Sequence, residues 1–214
     1  MHKQSLNLRR VVVRGFTLIE LMVTIAILAI LIGIAIPSFQ TMIQSNRLQS
    51  ASAEFQSALL MARTEAINRG GDAKVTILAN LVGTTRSWNN GYTLFVDRSG
   101  MNSTLVQLDT ENAAAALRTP NEQLLNVPAL NTAVNFTNTD NTPSFYMTFN
   151  GLGRSVSNSN ALFPTGYQFT SATGVAASTA RCLKLNSMGR LRSERYSPTE
   201  FAALTPANTC PATN

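Results

Sequence analysis

Arg181, Lys184, Arg190, Arg192 and Arg195 crowd into one short stretch near the C-terminus, with Glu194 the only carboxylate among them. A row of cations with so little counter-charge can bind a polyanion, because each phosphate it neutralises releases condensed counterions. The competing reading is a solvated basic strand edge that merely discourages strand-to-strand association. The same stretch carries Cys182, and Cys210 is the only other cysteine. Two cysteines allow one disulfide, Cys182–Cys210, which persists in an oxidising compartment such as the periplasm and not in a reducing cytosol. The only histidine is His2, so the body of the chain offers no Ser-His or Cys-His pair and no zinc ligand set of the usual spacing. Hydrolase and metalloenzyme readings that depend on Ser-His, Cys-His or a zinc cluster are therefore disfavoured. We assign no catalytic residue, no metal ligand and no cofactor. Asp97 has no second carboxylate converging on it and reads as a turn residue.

A hairpin is the element that must present these cations. Arg181–Asn186 and Arg190–Glu194 read as two strands around the three-residue loop Ser187-Met188-Gly189, with Gly189 at the left-handed position of a G1 bulge. That loop length pairs Asn186 with Arg190, Leu185 with Leu191 and Lys184 with Arg192, which puts the leucines on one face and Lys184, Arg190 and Arg192 on the other. A two-residue loop would oppose Leu185 to Arg192 and is rejected for that reason. The preferred register sets two like charges directly across the ladder, which is unfavourable unless an anion neutralises them. Arg190 and Arg192 then lie roughly 6.6–6.8 Å apart at the strand rise, comparable with the distance between successive phosphates on an extended nucleic-acid strand.

The basic signal is local. Formal net charge is +6, but four of the 17 lysine and arginine residues (Lys3, Arg9, Arg10 and Arg14) precede Gly15, which leaves 13 against 11 acidic residues. Behind that basic leader, Phe16 to Ile36 reads FTLIELMVTIAILAILIGIAI with Glu20 its only charge, long enough to cross a bilayer as a helix. The positive-inside rule keeps the leader cytoplasmic and sends the rest across. An ordinary cleaved secretory signal is the bland alternative, but no small-x-small cleavage site follows at the right distance. Glu20 costs roughly 2.5–3.5 kcal/mol in hydrocarbon and so needs a partner, unless it reaches to the headgroup interface.

Leu48, Ala51, Phe55, Leu59, Ala62 and Ala66 continue the helix as one apolar stripe. Pro37 is expected to kink rather than end it, and Gly70-Gly71 to stop it. An unbroken helix from Thr17 to Arg69 would be about 80 Å long. Beyond it, short β-type runs broken by Asn, Gly, Ser and Pro cover Val75–Leu81, Gly91–Asp97, Ala133–Thr137, Ser144–Phe149, Gly166–Thr170 and Ala180–Arg195. Asn102–Asn131 reads as loop with a short helix near Ala113–Ala116. Trp88 reads as a core anchor rather than a ligand platform. The fold class is α+β, a long N-terminal helix packed on a β-sheet head.

Arg14-Gly15-Phe16-Thr17-Leu18-Ile19-Glu20 resembles the class III signal of type IV prepilins and type II secretion pseudopilins. The resemblance implies cleavage by a prepilin peptidase between Gly15 and Phe16, methylation of Phe16, and pairing of Glu20 with the free amine of Phe16 in the same or a neighbouring subunit. It divides the chain into a leader (1–15), a transmembrane and assembly helix (16–36), its amphipathic half (37–70) and a periplasmic head (71–214). Trp88-Asn89-Asn90-Gly91-Tyr92 through Phe95-Val96-Asp97, and Phe149-Asn150-Gly151-Leu152-Gly153-Arg154, resemble stretches of the GspH/FimT subfamily. Gly189-Arg190-Leu191-Arg192 is similar to the GRxR motif of FimT-type pilins, which bind DNA during natural transformation. By that resemblance Arg190 and Arg192 contact phosphate, with Lys184 and Arg195 as helpers.

The expected protein is non-enzymatic: a minor pilin anchored in the inner membrane, with other pilins, the peptidase and DNA as partners. Only Tyr196 supplies an aromatic beside the cations, so contact with DNA is expected to be electrostatic and indifferent to sequence. A minor pseudopilin of a type II secretion system, contacting exported proteins, is the second reading. An anchored periplasmic enzyme is the third and has only the anchor in its favour.

Overall fold

Steps of three and four residues return to one side of a helix, and in the computed structural model of the protein Leu48, Ala51, Phe55, Leu59, Ala62 and Ala66 are all buried. The structure describes residues 15–71, 73–97, 122–130, 134–139, 145–157, 161–162, 164–172, 179–204 and 210. Helix α1 spans Leu18–Arg69 and runs through Pro37 without ending. Gly70, with φ 59°, closes it by donating its N–H to the Ala66 carbonyl.

The chain divides into two compact units, one up to Gln40 and one from Thr41 onward. In the first, α1 is predominantly apolar and its large apolar side chains are exposed, Leu18 at 75% and Ile34 at 69%. By length and composition this helix can cross a membrane.

In the second unit the remainder of α1 shares a core with two antiparallel sheets. The first has the order β5-β4-β1-β7-β8 and the second β11-β10-β9-β6. Their strands are β1 (Lys74–Ala79), β4 (Tyr92–Asp97), β5 (Glu122–Val127), β6 (Val134–Asn138), β7 (Tyr146–Asn150), β8 (Ser155–Val156), β9 (Thr165–Ser171), β10 (Ala180–Leu185) and β11 (Leu191–Tyr196); β2 (Leu81–Val82) and β3 (Thr85–Arg86) form a small separate ribbon. The fold is α+β, as the patterning requires. Phe55 sits at the centre of an aromatic cluster, with ring centroids 5.6 Å from Trp88, 5.1 Å from Tyr92, 4.6 Å from Phe136 and 4.8 Å from Tyr167. Edge-to-face pairs of this kind add about 0.5–1.5 kcal/mol each beyond simple burial. Trp88 is thus the core anchor its sequence context implies.

Three readings need correction. Glu122–Val127, inside the stretch taken for loop, is strand β5. Its alternation is broken because the pairing shifts between Leu94 and Phe95: Leu94 faces Leu125 whereas Phe95 faces Gln123. Asp97 is the last residue of β4, paired through its backbone with Lys74, rather than a turn residue. A short helix absent from the sequence reading, α2 (Pro198–Ala202), follows β11 with a capping box between Ser197 and Glu200. The expected short helix near Ala113–Ala116 lies outside the described residues.

Candidate nucleic-acid interface

The β10–β11 register is Leu185 with Leu191, Lys184 with Arg192 and Arg181 with Arg195. Asn186 donates its N–H to the Arg190 carbonyl at 3.1 Å, closing the three-residue loop. Leu183 and Leu185 point into the main core. The opposite face of β10 carries Cys182, bonded to Cys210 with Cα atoms 5.7 Å apart. Ala180 and Phe201 of α2 complete a small apolar cluster around that bond. The hairpin is thus pinned on both faces, by the core behind and by the stapled tail in front.

The like-charge pair across the ladder has its anion within the chain. Glu194 accepts from Lys184 Nζ at 2.9 Å through Oε2 and from Arg192 Nε at 3.0 Å through Oε1. Tyr196 Oη donates to the same Oε2. Hydrogen bonds from Tyr196 and then Lys184 hold the Glu194 carboxyl below its usual range. The Tyr196 hydroxyl is pushed up to about 12, first by burial and then by its bond to Glu194. Sequence reasoning counted Glu194 only as a lone opposing charge; its position two residues beyond Arg192, on the same strand face, was the signal of its role.

The predicted cations therefore divide. Lys184 is buried and committed to Glu194. Arg192 touches Glu194 while keeping its side chain 67% exposed, and Arg190 is exposed at the loop. Arg195 does not join them: it lies an odd number of residues from Arg192, directly opposite Arg181. Burial, and then the nearby Arg195, lower the Arg181 pKa. Among the described residues no grouping of His, Cys, Asp or Glu could hold a metal ion.

Among the described residues nothing lies within 4 Å of a Cβ placed on Gly15, and Phe16 is 68% exposed. Glu20 falls in the first turn of α1 and donates its N–H to Thr17 Oγ1 at 3.3 Å. Thr-x-x-Glu at a helix start is half of a capping box, and a carboxylate there also favours the helix dipole. The sequence reading did not include this local role for Glu20.

An exposed apolar helix start and a sheet-based head define a pilin-like class of protein. Residues 12–36 match the prokaryotic N-terminal methylation motif, and residues 51–189 match the family described as type II transport protein GspH. The chain belongs to this GspH/FimT family of type IV pilin-like proteins. It is also similar to a crystal structure of the type IV minor pilin FimU of Pseudomonas aeruginosa, at 18% identity and a TM-score of 0.45, covering 69% of this chain and 92% of that one. Among curated proteins none matches. The family is structural, and membership suggests assembly with other pilins after action of a prepilin peptidase. The apolar helix and the methylation motif are consistent with an inner-membrane anchor later taken into pili.

Proposed function

We propose that this chain is a non-enzymatic minor pilin that captures DNA, without regard to base sequence, for natural transformation. On this reading Met1–Gly15 is removed by the prepilin peptidase and Phe16 is methylated. Residues 16–36 anchor the protein in the inner membrane and later pack in a filament, where Glu20 meets the amine of Phe16. Residues 37–70 carry the periplasmic head, 71–214.

The observation that carries the DNA reading is the state of the hairpin cations. Glu194 neutralises Lys184 and steadies Arg192, yet Arg190 and most of Arg192 stay open to solvent on a strand pair locked by the core and the disulfide. Arg190 and Arg192 are the phosphate contacts. Lys184 contributes by holding Glu194, and Arg195 supplies only longer-range charge.

The test uses the full chain in a neutral detergent with labelled DNA of several sequences. Binding should be similar on all of them and fall steeply with salt. Replacing both Arg190 and Arg192 with Gln should abolish it, with little change in thermal midpoint because both side chains are exposed. Absence of binding at low salt, or unchanged binding by the double variant, overturns the reading. Mass spectrometry of protein from producing cells should find methylated Phe16 at the N-terminus.

A second reading, a minor pseudopilin of a type II secretion system, is favoured by the description of the matching family. Deleting the gene would then stop secretion of folded exoproteins and leave DNA uptake untouched.

A further inference from the structure

Two turns in different sheets are built alike. Asn150-Gly151-Leu152-Gly153-Arg154 joins β7 to β8, and Asn186-Ser187-Met188-Gly189-Arg190 joins β10 to β11; both read Asn-x-x-Gly-Arg. In the first, Asn150 Oδ1 accepts from the N–H groups of Leu152 at 3.1 Å and Arg154 at 3.0 Å. In the second, Asn186 Oδ1 accepts from Met188 at 3.1 Å and Arg190 at 2.9 Å. Each asparagine also pairs its own N–H with the carbonyl of the arginine, at 3.1 Å in both turns. Gly153 and Gly189 have φ of 70° and 74°, left-handed values that place the following arginine in the same way.

The turns also touch. A Cβ on Gly189 would lie 2.0 Å from the Gly153 carbonyl oxygen and 3.0 Å from Arg63 Nε. Arg63, on α1, donates Nε to the Gly153 carbonyl at 3.1 Å and Nη2 to the Met188 carbonyl at 3.5 Å. One guanidinium therefore bonds to both turns and keeps them together. Arg154 and Arg190, the residues next to the touching glycines, are both exposed, and among the described residues neither has a carboxylate within ion-pair distance.

We infer that the anion-binding surface spans both turns, and that Arg154 is a further phosphate contact for the DNA bound by Arg190 and Arg192. This rests on the DNA-binding reading above. The contact between the Gly153 and Gly189 backbones brings the chain at Arg154 close to the chain at Arg190, so one bound strand can reach a guanidinium from each turn. Arg63 acts as a positioning residue, its guanidinium directed at the turn carbonyls.

The experiment compares wild type, Arg154→Gln, Arg154→Lys and the Arg190→Gln, Arg192→Gln double variant, as full chains in neutral detergent, on one duplex over a range of salt. Arg154→Gln should bind roughly fivefold more weakly, the scale of one exposed ion contact. Its salt slope should be flatter by about one unit. Arg154→Lys should keep the wild-type slope, and the thermal midpoint of both should stay level. If Arg154→Gln binds with wild-type affinity and slope while the double variant has lost binding, the inference falls and the hairpin alone is the site. A lowered midpoint with no recovery of slope in Arg154→Lys gives Arg154 a structural role and also overturns it. If wild type binds no DNA, both readings fall together.

Discussion

Replacing Glu194 with Gln should weaken the fold and strengthen DNA binding at once. The carboxylate joins Lys184 at 2.9 Å and Arg192 at 3.0 Å; the Lys184 side chain is only 8% exposed, whereas that of Arg192 is 67% exposed. The Lys184 contact dominates the stability effect, because the exposed Arg192 contact is worth at most about 1 kcal/mol. Gln keeps an acceptor for the ammonium but removes its counter-charge, so the loss should be about 1–3 kcal/mol, the scale of a hydrogen bond to a charged group. At about 2–4 °C per kcal/mol for a head of this size, the thermal midpoint should fall by several degrees at pH 7. The sign with pH is fixed by the depressed Glu194 pKa. The stabilisation is fully present above the ordinary carboxylate value of 4.5, and is lost as pH falls below that value through the lowered one. The gap between wild type and variant should therefore close in acid. Meanwhile the loss of one negative charge beside Arg192 should outweigh the loss of the carboxylate's hold on that side chain, raising DNA affinity and steepening its salt slope. Circular-dichroism melts from pH 7 to pH 2, with DNA titrations at two salt concentrations, read all of this. Equal midpoints at pH 7, or a gap that persists in acid, would refute the part assigned to Glu194.

Reducing the Cys182–Cys210 bond, whose partners are 28 residues apart, should cost roughly 3–4 kcal/mol on the chain-entropy scale, measured as a lower denaturation midpoint in reductant. Phe55→Ala removes the hub of the aromatic cluster and should destabilise the second unit by about 3–5 kcal/mol, read by urea unfolding at the Trp88 fluorescence. Glu20→Ala should insert in membranes as well as wild type yet be poorly recovered in sheared pili; equal recovery would leave Glu20 as a helix-start residue alone.

The helix stripe and the hairpin register were legible because each has a period and a consequence: slipping either would turn Phe55 or Leu185 into water. Strand β5 was not, since the irregular pairing opposite Leu94 and Phe95 puts Leu124 and Leu125 side by side and erases the alternation that marks a strand. The pairing of Lys184 with Arg192 was legible, but its energetic meaning was not. Whether two cations repel depends on where Glu194 reaches, which strand geometry alone leaves open. The twin turns share only three residue identities, so their kinship became visible through their matching hydrogen bonds and the clasp of Arg63.

The exposed apolar start of α1 has a thermodynamic corollary. Lipid tails and the side chains of neighbouring helices are equally oily hosts, so the hydrophobic effect hardly distinguishes a helix in a bilayer from one among its own kind. The partition coefficient between the two is therefore set by whatever differs between them: close packing, and the fate of Glu20. A lone carboxylate raises the chemical potential of the membrane state by roughly 2.5–3.5 kcal/mol, a factor of about a hundred or more in population. On the proposed reading of Glu20, a host that offers this carboxylate a partner would remove that excess, and so draw the helix out of the lipid without any change in its greasy surface.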